Sequence, residues 1–133
     1  MLTYSVTAHR IDAHGSEARC KEAQLVIDTD LAGRPDAFNP AELFLASIAA
    51  CILKGIERVA PLLQFSFEGA EVRLTGTRQD APPKMVSVVY EIIVDTAESD
   101  ARLELLHKNI RKYGTISNTV AEATRLTGTI RRK

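Results

Sequence analysis

The stretch FNPAELFLASIAACILKGIERVAP, from Phe38 to Pro61, constrains this chain more than any other. Asn39 is a capping residue type, Pro40 suits the first helical position, and Glu42 sits three residues after the cap, so the segment opens like a capping box. Pro61 reads as the stop, because the residue before a proline avoids the helical region. The spacing predicts a helix over Pro40–Ala60. From Leu43 to Leu53 the residues are apolar or small, with Ser47 the only hydroxyl. A helix that is apolar on all sides has to be covered on all sides. One small sheet covers one side only. A second layer is required, and a homodimer supplies it most simply.

The rest of the chain supplies the sheets. In YSVTAHRID, Tyr4, Val6 and Ala8 alternate with Ser5 and Thr7, and ARCKEAQLVID behaves the same way through Ala23, Leu25 and Ile27. These predict two strands with His14-Gly15-Ser16 as the turn. TDLAGRPDAF is a loop, marked by Gly33 and Pro35. Beyond the helix, GAEVRLTGTRQ and MVSVVYEIIVD read as strands, joined by the turn DAPPK. The period then changes. Leu103, Leu106 and Ile110 recur at helical spacing, and Gly114 ends that helix. ISNTVAEAT predicts a short helix capped by Ser117 or Asn118, and TGTIRR a last strand. The order β-β-α-β-β-α-α-β fits an α+β fold better than a parallel α/β sheet. The 133 residues suit a single domain spanning 1–133.

Composition removes several function classes. Lys+Arg and Asp+Glu both number 17, so the formal net charge is zero. That balance argues against nucleic acid or an anionic membrane as partner, since both favour a basic excess. The run Leu43–Leu53 is shorter than the roughly 20 residues that span a bilayer. MLTYSVTAHRIDAHG lacks the basic start and apolar run of a signal peptide, so the expected location is cytoplasmic, with Cys20 and Cys51 as reduced thiols. His9, His14 and His107 show no metal-ligand spacing. There is no GxSxG, no phosphate-binding glycine loop and no CxxC. With aromatic residues at 5% and no Trp, a base-stacking platform is not expected. No metal or cofactor is expected.

Cys51 is the leading candidate for chemistry. It also reads as a plain core residue, because cysteine is among the most buried residue types. A reactive sulfur must be a thiolate. At mid-helix the dipole gives little help, and an apolar surround works against the charged form. A reactive Cys51 therefore needs a cation from another element. Arginine stays charged when partly buried and can hydrogen-bond a substrate oxygen. Arg10, Arg19 and Arg34 all lie in the N-terminal strands and loop. Glu42 is first a helix cap, and its second role would be to orient such an arginine. Cys20, on a strand, reads as a semi-buried small residue; a disulfide with Cys51 stays open.

NPAELFLASIAAC resembles the signature helix of the osmotically inducible protein C and organic hydroperoxide resistance (OsmC/Ohr) family. YGTISNTVAEAT is similar to the family region that carries a second cysteine before a Val/Ile-Ser-Asn pattern. The resemblance implies an α+β fold of antiparallel sheets wrapped around central helices in an intertwined homodimer, with active sites at the dimer interface. It also implies thiol-dependent reduction of organic hydroperoxides. The family's peroxidatic cysteine falls on Cys51 and its activating arginine on Arg19. The glutamate that pairs with this arginine falls on Ala41, with Glu42 as the neighbour able to substitute. The resolving cysteine falls on Gly114, so this chain departs from the two-cysteine pattern. The implied activity is a peroxidase with one cysteine, regenerated by an external thiol or dithiol or by Cys20, with Phe38 and Phe44 favouring an organic substrate. The alternative is a non-catalytic dimer that keeps the pocket to bind a small apolar or thiol ligand.

Overall fold

In the computed structural model, which describes residues 1–133, the alternating N-terminal region forms three strands rather than two. They are β1 (Thr7–Asp12), β2 (Gly15–Cys20) and β3 (Ala23–Ile27), an antiparallel meander in that order. The run ARCKEAQLVID is broken after Cys20, which pairs with Ala23. Lys21 turns the chain with a left-handed backbone, φ 56°. That region is uncommon for a residue other than glycine, so no glycine or proline marks the turn. The first turn is also one residue earlier than expected. It is Ala13-His14, held by the His14 N–H donating to Asp12 Oδ1 at 2.8 Å, and Gly15 and Ser16 already belong to β2.

The chain divides into two compact units, Met1–Phe44 and Leu45–Lys133. In the first, the buried Asp28 carboxylate organises the loop after β3 by accepting from the backbone N–H groups of Asp30 and Arg34, both at 3.0 Å. Gly33 allows the left-handed turn between them, φ 80°.

Helix α1 (Pro40–Leu63) opens as the sequence predicts. Asn39 Oδ1 accepts from the Glu42 N–H (2.9 Å), and Glu42 Oε1 accepts from the Asn39 N–H (3.0 Å). The helix does not stop at Ala60, and Pro61 lies inside its last turn. With no N–H to give, the proline forgoes one backbone bond close to the end of the helix. The stop is Gln64, φ 51°. Phe65 N–H donates to the Ala60 carbonyl (2.9 Å) and Gln64 N–H to that of Pro61 (3.3 Å), the bond pair of a Schellman end. Arg102 adds donors to the Leu63 and Gln64 carbonyls. Ile48, Ile52, Ile56 and Val59 form one fully buried stripe along α1.

The second sheet has β4 (Gly69–Gln79), β5 (Lys84–Asp95) and β6 (Arg125–Arg132) in that order. β4 and β5 are antiparallel, but β5 and β6 are parallel, so this sheet is mixed rather than wholly antiparallel. Parallel neighbours need a long crossover, and α2 (Asp100–Tyr113) with α3 (Thr115–Ala121) supplies it. Val88, Tyr90, Ile92 and Val94 of β5 are buried on one face, and Leu103, Leu106 and Ile110 of α2 and Leu126 and Ile130 of β6 are buried as well. Gly128 faces Tyr90 across the parallel pair, and a Cβ there would fall 2.2 Å from the ring. The phenol therefore takes space that only a glycine leaves.

Tyr90 carries its hydroxyl into this core. Arg111 Nη1 donates to it (3.1 Å) and to the Leu126 carbonyl (3.2 Å), which leaves the hydroxyl proton for Nε2 of His107 at 2.6 Å. Burial pushes the His107 imidazole below its ordinary value, reinforced by Arg111 and opposed by Glu104. A histidine lowered in this way stays neutral while its unfolded counterpart takes up a proton. Its contribution is intact above the unfolded value of about 6.5 and is lost as pH falls through that value toward the lowered one. His14, raised by its bond to Asp30, works in the opposite sense but is exposed. Urea unfolding of the wild type should thus lose stability between about pH 7 and 5.5. In His107→Gln, whose amide oxygen can still accept from Tyr90, that loss should shrink. Parallel pH curves for the two proteins would count against this account.

Candidate functional site

Cys51 sits on the flank of the isoleucine stripe, next to the fully buried Ile52 and half-buried itself. Successive helical residues are turned by about 100°, so a residue beside the stripe lies at the edge of the core. Close packing of α1 on α2 begins one turn further on, where a Cβ at Gly55 would meet the Ile110 side chain at 3.2 Å.

The junction of α2 and α3 comes up against the sulfur. Gly114 ends α2 in an extended conformation (φ −79°, ψ 109°) rather than a left-handed one, and it also caps α3. A Cβ at Gly114 would lie 3.2 Å from Cys51 Sγ, 3.2 Å from Ser117 Oγ and 3.0 Å from the Ile110 carbonyl oxygen. Position 114, onto which the resemblance puts a second cysteine, is therefore adjacent to Cys51 in space. Ser117 is not the cap of the short helix. It lies inside α3, three residues after Gly114 and over the same face, 1% exposed, with Oγ 4.0 Å from Cys51 Sγ. The sequence holds the signal for this meeting only as the i, i+3 relation between Gly114 and Ser117.

The remaining candidates belong to the first unit. Arg19, on β2, is exposed and donates through Nε to Glu17. Arg34 makes a two-point bond to Asp36 (2.6 and 2.8 Å) and reaches the His14 carbonyl (3.4 Å). Glu42 is exposed, and its Oε1 is occupied by the capping box. Phe38 is half-exposed, bridged to Ile27, and Phe44 is half-buried in the first turns of α1. Cys20, at the end of β2, and Cys51 are both free thiols. No three His, Cys, Asp or Glu side chains come together as a metal-binding group, and no helix is long and apolar enough to cross a membrane.

Comparison with known proteins places this geometry. The family model described as OsmC-like protein matches residues 33–128. No curated protein matches the sequence. Among solved structures, an OsmC-like protein from Mycoplasma pneumoniae superposes with a TM-score of 0.86 at 18% identity, covering 99% of this chain and 96% of that one. An organic hydroperoxide resistance protein from Legionella pneumophila gives 0.77 at 21% identity, covering 98% and 97%. One from Bacillus subtilis gives 0.72 at 16% identity, covering 98% of each chain. At these identities the superpositions establish the α+β fold, and the family match, over well more than half of the residues, establishes descent: this chain belongs to the OsmC-like protein family.

Proposed function

We propose that this protein is a thiol-dependent peroxidase that reduces organic hydroperoxides with Cys51 as its single peroxidatic cysteine, in the cytoplasm and in defence against oxidative stress. The observation that carries the reading is the 3.2 Å between Cys51 Sγ and a Cβ at Gly114. That distance is what a disulfide partner of Cys51 would need, and it supports reading position 114 as the place onto which the resemblance puts a second thiol. The names of the Legionella and Bacillus structures, organic hydroperoxide resistance proteins, point the same way.

The Cys51 thiolate attacks one oxygen of the hydroperoxide. The S–O bond forms as the O–O bond breaks, the sulfur loses two electrons, and the alkoxide leaves and takes a proton to become the alcohol. Cys51 is left as a sulfenic acid. An external thiol then attacks that sulfur, releasing water and forming a mixed disulfide, and a second thiol, or the other arm of a dithiol, frees Cys51. Arg19 is assigned the cation that favours the thiolate and polarises the peroxide. Glu42, whose Oε1 holds the helix start, is assigned the orientation of that arginine through its other oxygen. Phe38 and Phe44 are assigned the apolar approach that selects an organic peroxide. The second reading, a non-catalytic dimer binding an apolar or thiol ligand, is favoured by the glycine at 114, where the family carries its second thiol.

Mass spectrometry of the reduced protein separates the two. Near-stoichiometric organic hydroperoxide should convert Cys51 to the sulfenic acid within seconds, and Cys51→Ser should consume no peroxide. A thiol that oxidises no faster than free cysteine sinks the enzyme reading. The same treatment of Cys20→Ser shows whether Cys20 resolves the intermediate.

The missing thiol gives a second test. Disulfide geometry puts one partner's Cβ roughly 3 Å from the other's sulfur, and position 114 offers 3.2 Å. Gly114→Cys should therefore form a disulfide with Cys51 after one equivalent of peroxide, seen as two fewer alkylatable thiols. Persistence of both thiols would place position 114 off the sulfur's path.

The dimer rests on what the single chain leaves uncovered. The side of α1 away from the isoleucine stripe keeps Ala50 and Leu53 exposed, and Tyr4, Val6, Leu25 and Val26 are exposed as well. Exposed apolar side chains on this side of α1 are the surface that a partner would cover. Light scattering should return twice the chain mass of 14.6 kDa. A monomeric mass would remove the homodimer from the reading.

A further inference from the structure

Ser117 is one of three buried polar residues, with Asp28 and Thr124, and each of the other two is satisfied by backbone groups. The Asp28 carboxylate accepts two N–H groups, and the Thr124 hydroxyl donates to the Met85 carbonyl. Ser117 differs. Its hydroxyl has one hydrogen-bond partner, the Cys51 sulfur, at the long distance of 4.0 Å. A serine within a helix can turn its hydroxyl to a carbonyl one turn back, as Thr119 does with Thr115 in the same helix at 2.9 Å. A buried hydroxyl is costly unless it is bonded. Here it is kept dry and aimed at a thiol, a poor partner while neutral and a strong acceptor once ionised.

We propose that Ser117 is a catalytic residue of this chain: its hydroxyl donates a hydrogen bond to the Cys51 sulfur, stabilising the thiolate before attack and the sulfenate oxygen after it. The proposal rests on Cys51 as the nucleophile. It adds what the glycine at 114 makes necessary. With no neighbouring thiol to capture the sulfenic acid at once, the oxidised sulfur has to wait for an external thiol. A hydroxyl beside it supplies a donor that leaves the oxidation state unchanged. No bond to Ser117 forms or breaks. Removing a hydrogen bond to a charged acceptor is expected to slow reactions of that acceptor roughly tenfold to hundredfold.

The test uses two reagents, so that this proposal and the peroxidase reading can fail separately. In a Cys20→Ser background, the rate at which iodoacetamide alkylates Cys51 is measured at fixed neutral pH, followed by the rate of its oxidation by organic hydroperoxide. Thermal melting confirms that each variant is folded at the assay temperature. Ser117→Ala should slow alkylation about tenfold, and Ser117→Thr, which keeps the hydroxyl, should stay within threefold of the parent. Ser117→Ala alkylating at the parental rate overturns the proposal. So does a Ser117→Thr protein that is folded and as slow as Ser117→Ala, because a packing role and not the hydroxyl would then explain the loss. If alkylation follows the expected pattern while the parent shows no fast peroxide oxidation, the role of Ser117 stands and the peroxidase reading falls.

Discussion

The burial of the isoleucine stripe on α1 is the interaction on which the rest depends. Ile48, Ile52 and Ile56 recur at four-residue spacing and are essentially inaccessible. Each contributes about 1.5–3 kcal/mol on leaving water. The stripe fixes the rotation of the helix, and the rotation sets every other side chain on it. Cys51 is thereby held at the edge of the core. Gly55 lets the same helix pack close to Ile110 of α2, where a Cβ would come within 3.2 Å of the isoleucine side chain. The site is thus a consequence of one buried face.

The surroundings of the Cys51 sulfur follow from what stands at the end of α2. Gly114 carries no side chain, Ser117 carries a hydroxyl, and both come against one sulfur. In the proposed reading, a thiol at position 114 would close a disulfide once Cys51 was oxidised, whereas a hydroxyl can only polarise the sulfur, so the proposed cycle is completed by a thiol from elsewhere.

Away from the sulfur, the core is satisfied in a different manner. Tyr90, His107 and Arg111 share a buried hydroxyl that donates once and accepts once. Gly128 opens the space for the ring. This polar knot holds α2 against β5 and β6, so the helix that presents Gly114 is tied to the sheet by hydrogen bonds as well as by Leu103, Leu106 and Ile110.

By itself the sequence determined what is local. The capping box at Asn39 and Glu42, the helix that follows, strands β4 and β5, the helical spacing of α2 and the α+β class all follow from residue periods and end signals within a few positions. It also singled out Cys51, first as a chemical possibility and then by resemblance. Only the tertiary structure decided the rest. The break at Lys21 was invisible because a lysine adopts a glycine's backbone there. Pro61 was tolerated because it falls in the last turn, and Gln64 closed the helix instead. The parallel pairing of β5 with β6 depended on where two helices carried the chain. Ser117 read as a cap, yet it meets a sulfur 66 residues away. That meeting is set by how α1 and α3 pack, and the sequence near the two partners carries no more of it than the i, i+3 spacing of Gly114 and Ser117.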